Sequence, residues 1–335
     1  MKSDVSHSDY IEKIHSVLRP LIPSDAQVTL FDFPNHPNVG DSSIWLGEEY
    51  YLSSRVKARI VAVDDFKLTE RAKPVIPEET IILIHGGGNL GDLYPHHQAL
   101  REHVITQYRH HRVVQLPQSI HFQDVKKEMQ CSRIFKGHKD FHLLVRDYSS
   151  QKTAEKLHDG PVYLCPDMAL CLDTMPRTTK PRHPIQGLLR TDDEKVTADA
   201  STTLNPGSIV SADWLEEPNS IARKLTTRIE RLQTRFPRRL AMLHGLKRRL
   251  YHRLAWERFR RGCDILSSGE VVITDRLHGH IMCTLMNIPH VVLDNSYRKI
   301  GNFRDAWGTG EELCLMADDL QDALDKAHLL LNRFH

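Results

Sequence analysis

Short apolar runs, each ending in polar or turn residues and each followed by a segment of helical length, recur along the whole chain and leave it few folds to adopt. "VTLFDF" (28–33), "ARIVAVDD" (58–65), "TIILIHGGG" (80–88), "RVVQLPQS" (112–119), "FHLLVRD" (141–147) and "PVYLCPD" (161–167) are rich in Val, Ile and Leu, as strands buried on both faces of a parallel sheet are. Between them lie segments such as 41–54, 95–110 and 149–158, long enough for helices, so strand and helix alternate. The pattern predicts a doubly wound α/β domain ending near residue 175. The proline-rich stretch "DTMPRTTKPRHP" (173–184) reads as a linker. Beyond it the alternation resumes with "IQGLLRTDDE" (185–194), "GSIVSADW" (207–214), "EVVITDRLHG" (270–279), "IPHVVLDNS" (288–296) and "ELCLMAD" (312–318), then an amphipathic terminal helix. The expectation is two Rossmann-like domains, 1–175 and 183–335, the second carrying a basic helical region over 219–262.

A chain of 335 residues, 40% hydrophobic, can bury two such cores. Its net charge of +2 gives no general reason for a nucleic-acid partner, but the charge is uneven: residues 223–261 hold fourteen Lys/Arg against only Glu230 and Glu257. That stretch lacks the aromatic platform of a strand binder, so nucleic acid is not expected as a partner. It reads either as a solvated helix face or, with Tyr251 and Trp256 beside it, as a surface for the inner membrane face or a lipid-diphosphate-linked acceptor. Six cysteines at no metal-like spacing, an N-terminus without a signal-peptide pattern and the lack of any run near ~18 apolar residues suggest a cytoplasmic protein, peripheral to the membrane if it meets one.

"HGGGNLGD" matches the dinucleotide fingerprint GxGxxG from Gly86 to Gly91. A dinucleotide site also needs an acidic residue about 20 positions on, at the end of the next strand. Here that strand ends in Pro117, Gln118 and Ser119. The glycines are then read as a turn that lets backbone approach a ligand or the facing domain, with Asn89 and Asp92 as polar tips; a tight strand-to-helix turn needing positive φ would use them equally well.

In open parallel sheets, ligands bind beyond the carboxyl ends of the strands. Those ends supply Asn38, Gly40 and Asp41, then Gly87, Gly88, Asn89 and Asp92, then Arg146, Arg190, Arg276 and His278, and finally Arg298 and Lys299. Arginines, a lysine and a histidine beside glycine-rich turns describe a site for a small, multiply charged anion. In "TDRLHGHIMCTLMNIP", Thr274 or Asp275 is the expected helix cap, which puts Arg276 and His278 in the first turn, where the macrodipole favours an anion. The pairs His96-His97 and His110-His111 have no acidic or cysteine partner at ligand spacing and read as solvated helix ends; no metal is expected.

The ordered motifs "NVGDSSIW", "HGGGNLGDLYP", "LPQSIHF", "VRDYSS", "CPDMAL", "TDRLHGHI" and "DNSYRKIGNF" resemble those of the polysaccharide pyruvyl transferases over about residues 37–303. The resemblance implies two Rossmann-like domains facing across a cleft in the GT-B-like arrangement, with phosphoenolpyruvate as donor substrate, a sugar diol as acceptor and no further cofactor. It matches the family's histidine and arginine to His278 and Arg276, its "RD" arginine to Arg146, and its downstream basic residue to Lys299 or, with a one-residue slip, the adjacent Arg298. It assigns no acidic residue to the acceptor hydroxyl; Asp41 and Asp92 are the candidates, and Arg190 is a candidate cleft residue. Ketal formation needs a proton on C3 of the enol and cations around carboxylate and phosphate. His278 suits the first task and the arginines and lysine the second. The alternative is a GT-B glycosyltransferase using a nucleotide sugar.

Overall fold

The structure, a computed structural model, describes residues 6–65, 76–190, 209–236, 243–294, 298–308 and 312–334. Its strands form two wholly parallel sheets, so the molecule is an α/β protein with two Rossmann-like sheets. The first contains β1 (Gln27–Phe31), β2 (Arg59–Asp64), β3 (Ile81–Ile84), β4 (Gly87–Gly91), β5 (Val113–His121), β6 (Phe141–Val145) and β7 (Val162–Leu164). Their order is β2-β1-β3-β5-β6-β7, with β4 also paired to β5. The second contains β8 (His183–Leu188), β9 (Val210–Ser211), β10 (Gly269–Thr274), β11 (His290–Leu293) and β12 (Cys314–Ala317), in the order β12-β11-β10-β8-β9. The described helices are α1 (His7–Leu18), α2 (Val39–Tyr50), α3 (Pro95–Gln107), α4 (Val125–Lys136), α5 (Tyr148–Leu157), α6 (Ile221–Arg235), α7 (His244–Ser267), α8 (Leu277–Leu285), α9 (Lys299–Trp307) and α10 (Leu320–Phe334).

The glycine run departs from the expected strand-to-helix turn. Gly87 to Gly91 is itself a strand, pairing with the second half of the long β5 (Gly87 beside Gln118, Gly91 beside His121), while β3 pairs with its first half. Gly87 and Gly91 take φ of +123° and +131°, and a Cβ at Gly91 would lie 1.7 Å from the His121 carbonyl oxygen. The glycines therefore serve a second, tighter strand pairing, and the helix waits until Pro95 at its first turn.

Helix α2 joins the two halves. It is buried nearly all round, as a helix inside a core must be. A Cβ at its Gly47 would lie 1.9 Å from the Met168 carbonyl oxygen, and Val39 Cγ1 would lie 2.3 Å from one at Gly262 of α7. Thus α7, which follows β8 and β9 in sequence, packs on the first sheet's helix. One hydrophobic cluster consequently runs from Leu30 and Trp45 through Tyr251 and Leu254 to Val272 and Ile281.

The basic stretch forms two helices, as its periodicity suggests, with 237–242 outside the described residues. Much of the α7 charge turns inward. Lys247 is buried on Asp64, Arg258 meets Glu217 (2.5 Å), Arg248 meets Glu49 (3.0 Å), and Arg261 donates to the Pro37 and Trp214 carbonyls (2.8 and 2.6 Å).

Candidate active site

Each sheet reverses its winding once, the first between β1 and β3 and the second between β8 and β10. Crevices form at such switch points because neighbouring crossovers leave in opposite directions. A cavity of about 380 Å³ lies where the two sets of strand ends meet. The first half contributes His36, Asn38, Asp41, Gly88, Asn89, Tyr94, His97 and Arg146 to its wall; the second contributes Arg190, Trp214, Leu215, Asp275, Arg276, Leu277, His278 and Lys299.

Arg146 follows β6 and is held from behind. Its Nη1 donates to Asp167 Oδ2 (2.5 Å) and its Nε to Ser119 Oγ (2.9 Å), while its backbone carbonyl accepts from Trp307 Nε1 (2.8 Å). Gly88 faces it: a Cβ there would come within 2.9 Å of Arg146 Nη2 and 3.9 Å of Lys299 Nζ. Asn89 is fixed by Arg101 Nη2 and Gln118 Nε2, both donating to its Oδ1 (2.7 and 3.0 Å).

Across the cavity, β10 ends at Thr274, whose Oγ1 donates to the Leu188 carbonyl (2.9 Å) and accepts from the Arg276 N–H (3.1 Å). The N-cap of α8 is Arg276 itself, with no side-chain cap bond, rather than Thr274 or Asp275. Asp275 instead accepts from the Arg190 N–H (2.9 and 3.1 Å), tying the ends of β8 and β10 together. The Arg276 guanidinium lies over the Trp214 ring (5.6 Å to its centroid) and 3.7 Å from Asp213 Oδ1. His278 sits one position inside the helix, its Nε2 at ion-pair distance (3.4 Å) from Asp167 Oδ2. Gly40, just after the Asn38 cap of α2, lets this ring approach, since a Cβ there would lie 2.5 Å from His278 Nδ1.

Asp167 therefore sits between the two halves, shared by Arg146 and His278. Burial pushes its carboxyl up, but His278, Arg146 and the Ala169 N–H outweigh that and hold it well below the usual carboxylate range. Burial likewise opposes ionisation of Asp41, yet His36 (3.5 Å) and His278 keep it below its ordinary value.

The sequence-derived residues Asn38, Asp41, Gly88, Asn89, Arg146, Arg190, Arg276, His278 and Lys299 thus share one cavity, with Gly40 packed against the His278 ring and Gly87 close to Asp41. Two residues stand elsewhere. Asp92 accepts from the Gln123 and Asp124 N–H groups (2.9 and 2.7 Å) and shapes the loop after β5. The Arg298 side chain is 66% exposed and pairs with Asp294 and Asp305 (3.9 and 3.6 Å). Asp167 and Ser119 lie at strand ends in "CPDMAL" and "LPQSIHF", where ligand-facing residues are expected, but their sequence assigns them no role; His97 gave no local signal.

A larger groove of about 900 Å³ lies at the far end of α2 along α7. Its floor is apolar, from Leu46 and Ile60 to Val63, and its Arg248 and His252 are engaged by Glu49. Cations, carboxylates and histidines converge instead in the smaller cavity.

A two-sheet α/β protein whose strand ends gather arginines, a lysine and a histidine around one cavity is the class that fold and site define. The polysaccharide pyruvyl transferase family model matches residues 38–297, and the chain belongs to that family. It is 32% identical over 309 residues to a Bacillus subtilis protein named "Putative pyruvyl transferase EpsO", covering 88% of this chain and 89% of that one. It is 31% identical over 328 residues to Pyruvyl transferase 1 of Schizosaccharomyces pombe, covering 91% and 75%. An uncharacterised Klebsiella pneumoniae protein of known crystal structure shares the fold (TM-score 0.59, 20% identity, covering 93% of this chain and 99% of that one).

Proposed function

We propose that the protein transfers the pyruvyl group of phosphoenolpyruvate as a ketal onto a sugar diol of a polysaccharide or its precursor, releasing phosphate, in a GT-B-like cleft. The observation that carries this reading is the convergence of Arg146, Arg190, Arg276 and Lys299 with His278 in one cavity. A donor bearing both carboxylate and phosphate needs several cations, and forked guanidinium groups hold such anions in register. Arg276 and Arg146 clamp the donor and stabilise the departing phosphate, and Lys299 adds a third contact. His278, with Asp167 Oδ2 3.4 Å from its Nε2, protonates C3 and makes C2 electrophilic. The first hydroxyl attacks C2, phosphate leaves, and the second hydroxyl closes the ketal. Measuring phosphate release from phosphoenolpyruvate over a panel of free and lipid-linked oligosaccharides tests the reading. Turnover only with a nucleotide sugar would replace it by glycosyl transfer.

We also propose that the acceptor is lipid-diphosphate-linked and met at an anionic membrane surface through α6. Ile221, Leu225 and Leu232 fall on one face of that helix at spacings of 4 and 7, with Phe236 at its C-cap, and the four are exposed by 77, 43, 42 and 43%. Exposed Lys224, Arg228, Arg231 and Arg235 run alongside. An apolar stripe flanked by cations suits the headgroup boundary, each cation contributing about 1 kcal/mol near an anionic surface. Among the described residues no helix is long and apolar enough to cross a membrane. Replacing Arg228, Arg231 and Arg235 by Gln is expected to abolish sedimentation with anionic vesicles and lower activity on a lipid-linked acceptor while sparing a soluble one. Unchanged sedimentation would refute the membrane role.

A further inference from the structure

The ketal reaction has two proton-handling tasks, and His278 answers only one. The acceptor oxygen must also lose its proton as it attacks. On the wall built by the first sheet, His97 of α3 lines the same cavity. Its Nδ1 is 2.8 and 2.9 Å from the two carboxylate oxygens of Asp32, the residue directly after β1. Asp32 is fully buried and outside the cavity wall, whereas His97 lines the cavity and keeps 14% of its side chain exposed. Burial pushes the Asp32 carboxyl up, but His97 and Arg101 reverse this and hold it below its ordinary value, so it is a carboxylate. It therefore takes the Nδ1 proton in hydrogen bond, which leaves Nε2 as the basic nitrogen of the neutral ring. Asp32 is also one of the non-glycine residues in the left-handed region (φ 71°), a conformation that costs on the order of 1 kcal/mol and persists where surroundings impose it.

We infer that His97 is the general base that deprotonates the acceptor hydroxyl, and that Asp32 is the positioning residue that fixes its tautomer. Under the pyruvyl-transfer reading, on which this role rests, the hydroxyl O–H bond breaks, its proton goes to His97 Nε2, and its electron pair forms the new O–C2 bond. The C2=C3 electron pair takes a proton from His278 and becomes the methyl C–H bond. Phosphate then leaves with the C2–O electron pair, and the second hydroxyl closes the ketal. Of the two hydroxyl protons lost overall, one is balanced on C3 and one on phosphate.

The test uses the full-length protein with phosphoenolpyruvate and an accepted sugar. His97→Gln is expected to lower turnover by about 10² to 10⁴-fold, the range for losing a positioned base, with the affinity for phosphoenolpyruvate by calorimetry unchanged. Asp32→Asn is expected to lower turnover in the same direction without altering donor affinity. Added imidazole is expected to restore part of the turnover of His97→Gly, which a purely structural role would not allow. Wild-type turnover in His97→Gln, or no imidazole response in a His97→Gly protein that melts as the wild type does, would overturn the inference. Failure of the wild type itself to release phosphate from phosphoenolpyruvate with any acceptor would instead refute the reading beneath it.

Discussion

In the cavity the cations come from residues 146, 190, 276 and 299, four well-separated parts of the sequence, whereas α6 and α7 draw theirs from a single stretch. The isolated ones converge. The clustered ones separate: those of α6 face outward, while on α7 Lys247, Arg248, Arg258 and Arg261 are taken up by Asp64, Glu49, Glu217 and backbone carbonyls of other segments. Density of charge along a chain therefore says little about where charge acts. A sheet's carboxyl edge gathers side chains from distant segments by topology, and a long helix distributes neighbouring ones around its circumference.

The comparison breaks most easily at His278. His278→Ala is expected to lower turnover by about 10² to 10⁴-fold while leaving phosphoenolpyruvate binding nearly intact, as steady-state kinetics and calorimetry would show. Unchanged turnover would remove the histidine from the chemistry. On the α7 side, Lys247→Gln strands the buried Asp64 carboxylate and is expected to cost roughly 3–5 kcal/mol in a denaturant titration. The double change Lys247→Met with Asp64→Leu should recover most of it. A stable Lys247→Gln protein would mean that this cation is not structural.

Gly40→Ala comes next. Its new methyl group would meet the His278 ring at 2.5 Å, and displacing a catalytic group by about 1 Å costs on the order of 10²-fold. Turnover at the wild-type level would show that the ring is not confined there. The smallest expected effect is that of a chelator, which should leave activity unchanged. Among the described residues, His280, His290 and Cys314 could together hold a metal. Their donors are engaged, however: His280 Nδ1 is 2.7 Å from His290 Nε2, and Arg304 donates to Cys314 Sγ (3.2 Å). Burial also pushes the Cys314 thiol up to about 12 and His290 down to about 4. Loss of activity restored by a divalent ion would place a metal at this cluster.

Much of the α/β pattern was legible because buried parallel strands advertise themselves as short Val/Ile/Leu runs, and the residues just after them, from Asn38 to Lys299, are those that topology delivers to one edge. What the sequence hid is long-range. His97 looked like a solvated helix end because its carboxylate, Asp32, lies 65 positions away. The glycine run looked like a turn because the strand it pairs with, β5, is read only later. Lys299 and Arg298 are neighbours in sequence and differ only in which way the start of α9 points them.

The central claim is that scattered cations form one donor site and that α7's do not, and it is tested most directly by titrating phosphoenolpyruvate into matched variants. Arg146→Lys and Arg276→Lys each replace a forked contact by a point charge and are expected to weaken donor binding about tenfold or more. Arg249→Gln and Arg253→Gln, exposed on α7, are expected to bind the donor as the wild type does. Unchanged affinity in both cavity variants, or equal loss in the α7 variants, would contradict the account.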